Sequence, residues 1–97
     1  MIHKLIVIDN SQVLLNGKLL TPHASLKLVN HSPDGFSWGY EGSGCAQLAL
    51  AILQSLHAKE FALRYYQEFK REVIAKIQSG PRQVQFQITE QNTFNLL

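Results

Sequence analysis

The sequence contains one cysteine, three prolines and few charged residues. The single cysteine, Cys45, excludes an internal disulfide and any zinc site built from several cysteines, and it suits a reducing cytosol. Charged residues make up 16% of the chain, below the usual fraction of about 25%. The surface is therefore unusually neutral, which favours a protein partner or an oligomer and leaves the oligomeric state open.

Long hydrophobic runs are also absent. The longest apolar stretch, Leu48 to Leu53, is far shorter than the ~20 residues that a membrane-spanning helix needs. The apolar run near the N-terminus is too short for a signal peptide. We therefore expect a cytoplasmic protein that has no membrane association.

The chain also lacks a strong excess of one charge, since its net charge is +2. Nucleic-acid-binding domains usually carry a larger basic excess that is clustered on one face. Here the nine lysines and arginines are spread along the chain, and those of the second predicted helix alternate with glutamates. This pattern predicts a solvated helix face, so nucleic-acid binding is not favoured.

No set of residues has the spacing of a catalytic or metal site. The four histidines show no His-x-x-x-His spacing, and no pair of acidic residues is positioned for acid–base work. Cys45 could become nucleophilic beside His23 or His31, but a buried and inert cysteine is the simpler interpretation. We predict no catalytic residue, no metal and no cofactor, and hence a protein that is not an enzyme.

The first part of the chain predicts a strand and a hairpin. Leu5–Ile8 is a β-branched run typical of a strand. Asn16-Gly17 separates two apolar runs, Val13–Leu15 and Lys18–Leu20. This pair of residues is a strong hairpin signal, because a type I′ turn needs positive φ at both central residues.

The next part predicts a second hairpin. Ser25–Asn30 has the composition of a strand, and Ser32–Gly35 that of a β-turn. Phe36–Tyr40 alternates strictly between aromatic residues and small ones. In a strand, the three aromatic side chains share one face, which we interpret mainly as a core face.

Two helices and a late strand follow. Cys45–His57 is apolar on nearly all sides, which predicts a central buried helix. Lys59–Gln78 has one apolar stripe, and a break near residues 57–59 is expected, since one continuous helix of ~50 Å exceeds the size of such a domain. Gln83–Ile88 alternates like a half-buried strand. The tail Thr89–Leu97 could pack on the core or fray.

These elements predict the α+β class. We expect one domain, residues 1–97, in which a small antiparallel sheet of about four to six strands, built from hairpins, packs on two consecutive helices. A late strand after the helices completes the sheet.

The best candidate for a functional site is the loop Glu41–Gly44 before the first long helix. Free N–H groups and the positive end of a helix dipole can bind an anion, with Ser43 and the N–H groups of Gly44 and Cys45 as donors. The alternative is a glycine-lined turn with a purely structural role. Trp38 and Tyr40 could stack a nucleotide base beside it, although they also fit a core.

The segment around Gly35–Gly44 resembles a sequence motif of a protein family whose activity is unknown. His31–Ala51 resembles an uncharacterised bacterial and phage domain-of-unknown-function family of the form H-S-P-x-G-F-x-W-G-Y-x-G-S-G-P-A-Q-L-A-L-A, and Tyr66–Ala75 resembles a second block of that family. This chain has Cys45 where the family usually has proline. The resemblance implies a shared fold, and it raises a role in interactions between phage and host.

These observations leave three alternative hypotheses for the function. The first is a non-enzymatic interaction module with a protein partner. The second is a binder of a nucleotide or another small anion at Gly42-Ser43-Gly44, with Trp38, Tyr40 and Glu41 beside the ligand. The third is a weak nucleic-acid binder.

Overall fold

In the computed structural model, which describes all 97 residues, five strands and two main helices form two layers. The strands are β1 (Ile2–Asp9), β2 (Gln12–Leu15), β3 (Lys18–Leu20), β4 (Arg82–Ile88) and β5 (Phe94–Leu96). The helices are the short α1 (His23–Leu26), α2 (Ser43–Leu56) and α3 (Lys59–Glu72), which a 3₁₀ turn at Ile74–Lys76 follows. The predicted α+β class is confirmed.

The sheet is antiparallel throughout, in the order β3-β2-β1-β4-β5. The predicted Asn16-Gly17 hairpin joins β2 and β3, with φ of 52° at Asn16 and 85° at Gly17. The glutamine-rich strand is β4, and it pairs with the central strand β1. Because β1 lies between the first hairpin and the last one, it joins both ends of the chain in one sheet.

One face of the sheet packs on the helices. The inward side chains of β1, such as Leu5 and Val7, are fully buried, and ten residues of α2 are buried as well. This confirms that α2 is central. The helix break falls at His57-Ala58, as predicted, and no helix combines the length and the apolar character that a membrane crossing requires.

The prediction of a strand at Ser25–Asn30 is wrong. Residues His23–Leu26 form the short helix α1, and residues 27–30 follow it as a turn and loop. Ser25 is buried and donates its hydroxyl to the Pro22 carbonyl, 2.9 Å away. Tertiary hydrogen bonds to α2, described below, hold this segment, so its local strand propensity does not decide its structure.

The prediction of a strand at Phe36–Tyr40, and therefore of a second hairpin, is also wrong. The segment is an irregular loop. Gly39 has a φ of 88°, which a strand does not accommodate. Only Phe36 is fully buried, whereas Trp38 is half-buried and Tyr40 is 56% exposed. The three aromatic residues therefore do not form one core face.

The tail is ordered and extends the sheet. Phe94 lies in β5 and is buried, and the amide of Leu97 donates to the Gln85 carbonyl at 2.9 Å. Of the two alternatives left by the sequence, packing is the one that the structure adopts.

Candidate functional site

The segment before α2 follows a path that its glycines permit. The Phe36 amide donates to the Asn10 carbonyl at 2.9 Å. Gly35 has a φ of 135°, and a Cβ at this position would overlap the same carbonyl. Glycine is therefore required where the loop crosses the β1–β2 turn.

Trp38 and Gly39 fasten the loop to the chain that follows α3. The Trp38 indole N–H donates to the Gly80 carbonyl at 3.1 Å. The Gly39 amide donates to the Ile74 carbonyl at 2.9 Å, and a Cβ on Gly39 would lie 2.9 Å from the Ile77 carbonyl oxygen. We call the loop Gly35–Gly44, together with these contacts, the clasp. It joins the segment that precedes α2 to the segment that follows α3.

Tyr40 and Glu41 face outward but are also held by neighbours. The Tyr40 ring lies against Gly42, where a Cβ would overlap it, and its hydroxyl donates to the Ser37 hydroxyl at 3.3 Å. The Glu41 carboxylate lies 3.7 Å from the Lys70 ammonium. Glu41 is thus turned towards α3 and away from the start of α2.

The start of α2 has free backbone donors. Gly42 is the N-cap, and its carbonyl accepts the first helical bond from Ala46. The preceding amides, at Ser43, Gly44 and Cys45, have no acceptor in the protein. Gly44 is covered by Ser37, however, since a Cβ on Gly44 would lie 2.8 Å from the Ser37 Cβ.

A small cleft opens beside this helix end. Its volume is about 180 Å³, and its lining includes Asp34, Tyr40 and Ser43. The Asp34 carboxylate opposes an anion in this cleft. Every buried side-chain nitrogen or oxygen of the protein has a hydrogen-bond partner, so no buried polar side chain is left unpaired at this cleft.

The structure brings the predicted site residues into one region. Trp38, Tyr40, Glu41, Gly42, Ser43 and Gly44 all lie in the clasp or at the first turn of α2. Each has an intramolecular contact that explains its identity, except Ser43. Their role as ligand contacts stays a prediction.

Sequence reasoning missed Gln47, which is fully buried in α2. Its carbonyl oxygen accepts the amides of His31 and Ser32 at 2.8 and 3.1 Å. Its amide nitrogen donates to the Ser25 hydroxyl at 2.8 Å and to the Val29 carbonyl at 3.1 Å. A glutamine among apolar helix residues was the available signal, because a polar residue buried there must be bonded.

No hydrogen bond joins the candidate nucleophile, Cys45, to either candidate histidine. Cys45 is fully buried, as the inert interpretation predicts. The His31 ring lies 2.9 Å from the Tyr66 hydroxyl instead, and His23 is exposed. No group of three or more histidine, cysteine, aspartate or glutamate side chains is close enough to hold a metal ion.

A second titratable region lies at the opposite end of β1. His3 is buried, and its Nδ1 lies 3.0 Å from the Asn16 side-chain nitrogen. Burial, the positive N-terminal ammonium and His57 all hold the pKa of His3 below its ordinary value of 6.5. Because the Asn16 amide donates, His3 accepts on Nδ1 and is neutral.

Comparison with known proteins gives one match. A family model described as a family of unknown function, DUF6166, matches residues 6–95. No curated protein and no solved structure matches the chain. The matched region includes the whole of α2, α3 and the clasp, all of β2, β3 and β4, and parts of β1 and β5. The chain therefore belongs to the DUF6166 family.

Proposed function

We propose that this protein is a non-enzymatic interaction module that binds an extended segment of another protein along the free edge of β3. The observation that carries the proposal is the backbone of Leu19. The N–H and C=O groups of this residue point away from the sheet, beside a groove that lies between β3 and the helices.

The register of the hairpin determines which backbone groups are free. Leu15 and Lys18 close the two-residue turn as a hydrogen-bonded pair, so the next pair, Leu14 and Leu19, is not bonded. The N–H and C=O of Leu19 point outward, and neither has a partner elsewhere in the protein. An added strand would find both a donor and an acceptor there.

The groove beside Leu19 gives room for side chains. Two adjoining depressions of about 350 Å³ and 230 Å³ share Leu19, Leu20 and Ser55. The floor of the larger one contains Ala24 and Ala51. Small side chains on the helices opposite an edge strand leave space for an aliphatic side chain of the partner.

The charge of the groove favours a neutral or acidic segment. Lys18 is the only charged residue that lines either depression. A short edge strand with a lysine resists uncontrolled pairing, and one outward residue supplies only two main-chain hydrogen bonds. We therefore expect weak and selective binding to a short aliphatic segment.

The proposal also covers the location and the source of the partner. The partner is a cytoplasmic protein of a bacterium or phage, and the support is the resemblance of His31–Ala51 to sequences from such sources. The proposal of a non-enzymatic role is supported by the burial of Cys45, the one cysteine of the chain.

The test is a selection from a library of random peptides displayed on their messenger RNA, with the wild-type protein as bait. Binding of the enriched peptides is then measured for Leu19→Pro and for the matched control Leu19→Thr. Proline removes the outward N–H and no intramolecular bond, and an edge strand tolerates it. We expect affinity to fall about tenfold for Leu19→Pro and to stay near the wild-type value for Leu19→Thr.

Ser55→Trp is a second test at the groove, because Ser55 is exposed on α2 and lines both depressions. The tryptophan should fill the groove and abolish binding while the thermal stability is kept. A library that yields no enriched peptide, or a peptide that binds Leu19→Pro as tightly as Leu19→Thr, would contradict the proposal.

Anion binding at the start of α2 is the second candidate. The free amides of Ser43, Gly44 and Cys45 favour it, and the burial of Gly44 and the lining by Asp34 oppose it. A rise in melting temperature with millimolar phosphate or nucleotide, lost in Ser43→Asp, would support this candidate. The nucleic-acid alternative has only the net charge of +2 in its favour.

A further inference from the structure

The face of the sheet opposite the helices is aliphatic on one side. Ile6, Leu14 and Leu19 form a direct cross-strand row over β1, β2 and β3. Leu19 is 61% exposed, and Ile8, next along β1, is 39% exposed. An antiparallel sheet with one solvated face normally has polar residues at such positions, so this half of the face lacks a covering element.

The other half of the same face carries neutral amides. Gln83 pairs with Ile6 across the strands, and Gln85, Gln87 and Asn95 continue the pattern over β4 and β5. The face therefore has an aliphatic half and an amide half, and its charged side chains are confined to β1.

Two charged residues lie on β1, Lys4 in its first half and Asp9 at its end. Lys4 is exposed on the outward side, two residues before Ile6. Asp9 pairs with Gln12 after the irregularity in the register at Ile8. The Ser11 amide and hydroxyl donate to the Asp9 carboxylate at 2.8 Å and hold its pKa below its usual value. Asp9 is thus a fixed negative charge at neutral pH.

We infer that a second copy of the chain covers this face, in a two-fold dimer whose axis lies across the strands near Ile6 and Leu14. The dimer covers the outer face of the sheet, whereas the β3 groove lies on the side of the helices, and Leu19 is the residue that the two surfaces share. The inference therefore goes beyond the proposed function. The two sheets pack face to face with their strands nearly aligned.

The orientation follows from the pattern of the face. A two-fold axis that is parallel to the sheet and perpendicular to its strands reverses the strand direction of the second copy but keeps its strand order. The aliphatic half of one copy therefore packs on the aliphatic half of the other, and the amide half packs on the amide half. This axis also sets Lys4 opposite the Ile8–Asp9 end of β1 in the second copy. An axis along the strands would instead set the aliphatic half on the amides and leave Lys4 without an acidic partner.

The area available fits a weak dimer. The strands contain 8, 4, 3, 7 and 3 residues. At about 3.4 Å along and 4.8 Å across per residue, they cover roughly 400 Å² in projection. Two copies together bury at least about 800 Å², close to the ~1,000 Å² that a specific interface needs and below the standard ~1,600 Å². We expect dissociation in the micromolar range.

The test is sedimentation velocity of the full chain from micromolar to millimolar concentration. The wild type should move from a monomer of 11.0 kDa towards twice that mass. Leu14→Glu brings two carboxylates together at the axis, and we expect the dissociation constant to rise about a hundredfold. The matched control Leu63→Glu changes an exposed leucine of α3 and should leave the dimer intact.

Lys4→Glu tests the orientation, because it sets like charges opposite each other, whereas Lys4→Arg should dimerise as the wild type does. Thermal unfolding checks that each variant is folded. A wild type that stays monomeric at millimolar concentration, equal effects of Leu14→Glu and Leu63→Glu, or unchanged dimerisation of Lys4→Glu would overturn the inference. The groove is intact in Leu14→Glu, so peptide binding by that monomer separates this inference from the proposed function.

Discussion

At the residue scale, the side chain of Gln47 is the main polar link between α2 and the loop that precedes the clasp. Four bonds reach it from Ser25, Val29, His31 and Ser32. These bonds satisfy a fully buried amide and set the path of a segment that has little regular structure of its own. They also explain why the strand-like composition of Ser25–Asn30 gave the wrong prediction.

We predict that Gln47→Leu loses about 2–4 kcal/mol of unfolding free energy, because it leaves buried donors and an acceptor without partners. The control Gln54→Leu changes a half-exposed glutamine of the same helix, and its effect should stay within about 0.5 kcal/mol. Urea unfolding measures both. Equal losses of unfolding free energy in the two variants would show that the hydrogen bonds of Gln47 do not stabilise the fold.

The lowered pKa of His3 makes stability depend on pH. The folded state favours neutral His3, so its contribution is present above the ordinary pKa of 6.5 and is lost as the pH falls below that value. We predict that unfolding free energy decreases between about pH 7 and pH 5, and that His3→Gln reduces this slope. A slope that is unchanged in His3→Gln would contradict the assignment.

At the scale of elements, the clasp shows why alternation alone did not predict the structure. The pattern of Phe36–Tyr40 is typical of a strand, but it arises from three separate contacts. Phe36 enters the core, Trp38 bonds to Gly80, and Gly39 passes close to Ile77 with positive φ. The sequence does predict the turn before the loop and the start of α2, because those depend on local glycine and helix preferences.

A pair of glycines tests the clasp. Gly39 and Gly80 have nearly the same φ, 88° and 86°. A Cβ on Gly80 meets nothing within 4 Å, whereas one on Gly39 meets the Ile77 carbonyl oxygen at 2.9 Å. We predict that Gly80→Ala costs about 1–2 kcal/mol, the cost of positive φ, and that Gly39→Ala costs at least about 1 kcal/mol more. Equal losses of stability in the two variants, measured by thermal unfolding, would show that the close approach of Gly39 to the Ile77 carbonyl does not constrain the fold.

At the scale of the whole molecule, the C-terminal strand completes the aromatic core. Phe94 packs edge-on against Phe69, with ring centroids 5.2 Å apart, and Phe69 packs in turn against Phe86 at 5.1 Å. The α+β class and the order of the long elements were predictable, since they follow from periodicity. The place of the tail was not, because it depends on a sheet edge that only the folded chain provides.

We predict that Phe94→Ala destabilises the protein by about 3–5 kcal/mol, the usual cost of removing a buried phenylalanine. Leu97→Ala, at a position 59% exposed, should change little. Chemical denaturation compares the two. A small effect of Phe94→Ala would mean that the tail does not contribute to the core.

The proposed function depends on the backbone of Leu19, so the most direct measurement is the hydrogen exchange of its amide with and without a selected peptide. The free N–H has no partner and lies on the edge strand, so it should exchange rapidly in the protein alone. We predict strong protection of this amide when the peptide saturates the protein. A peptide that binds fully while the Leu19 amide still exchanges at its free rate would contradict strand addition at β3.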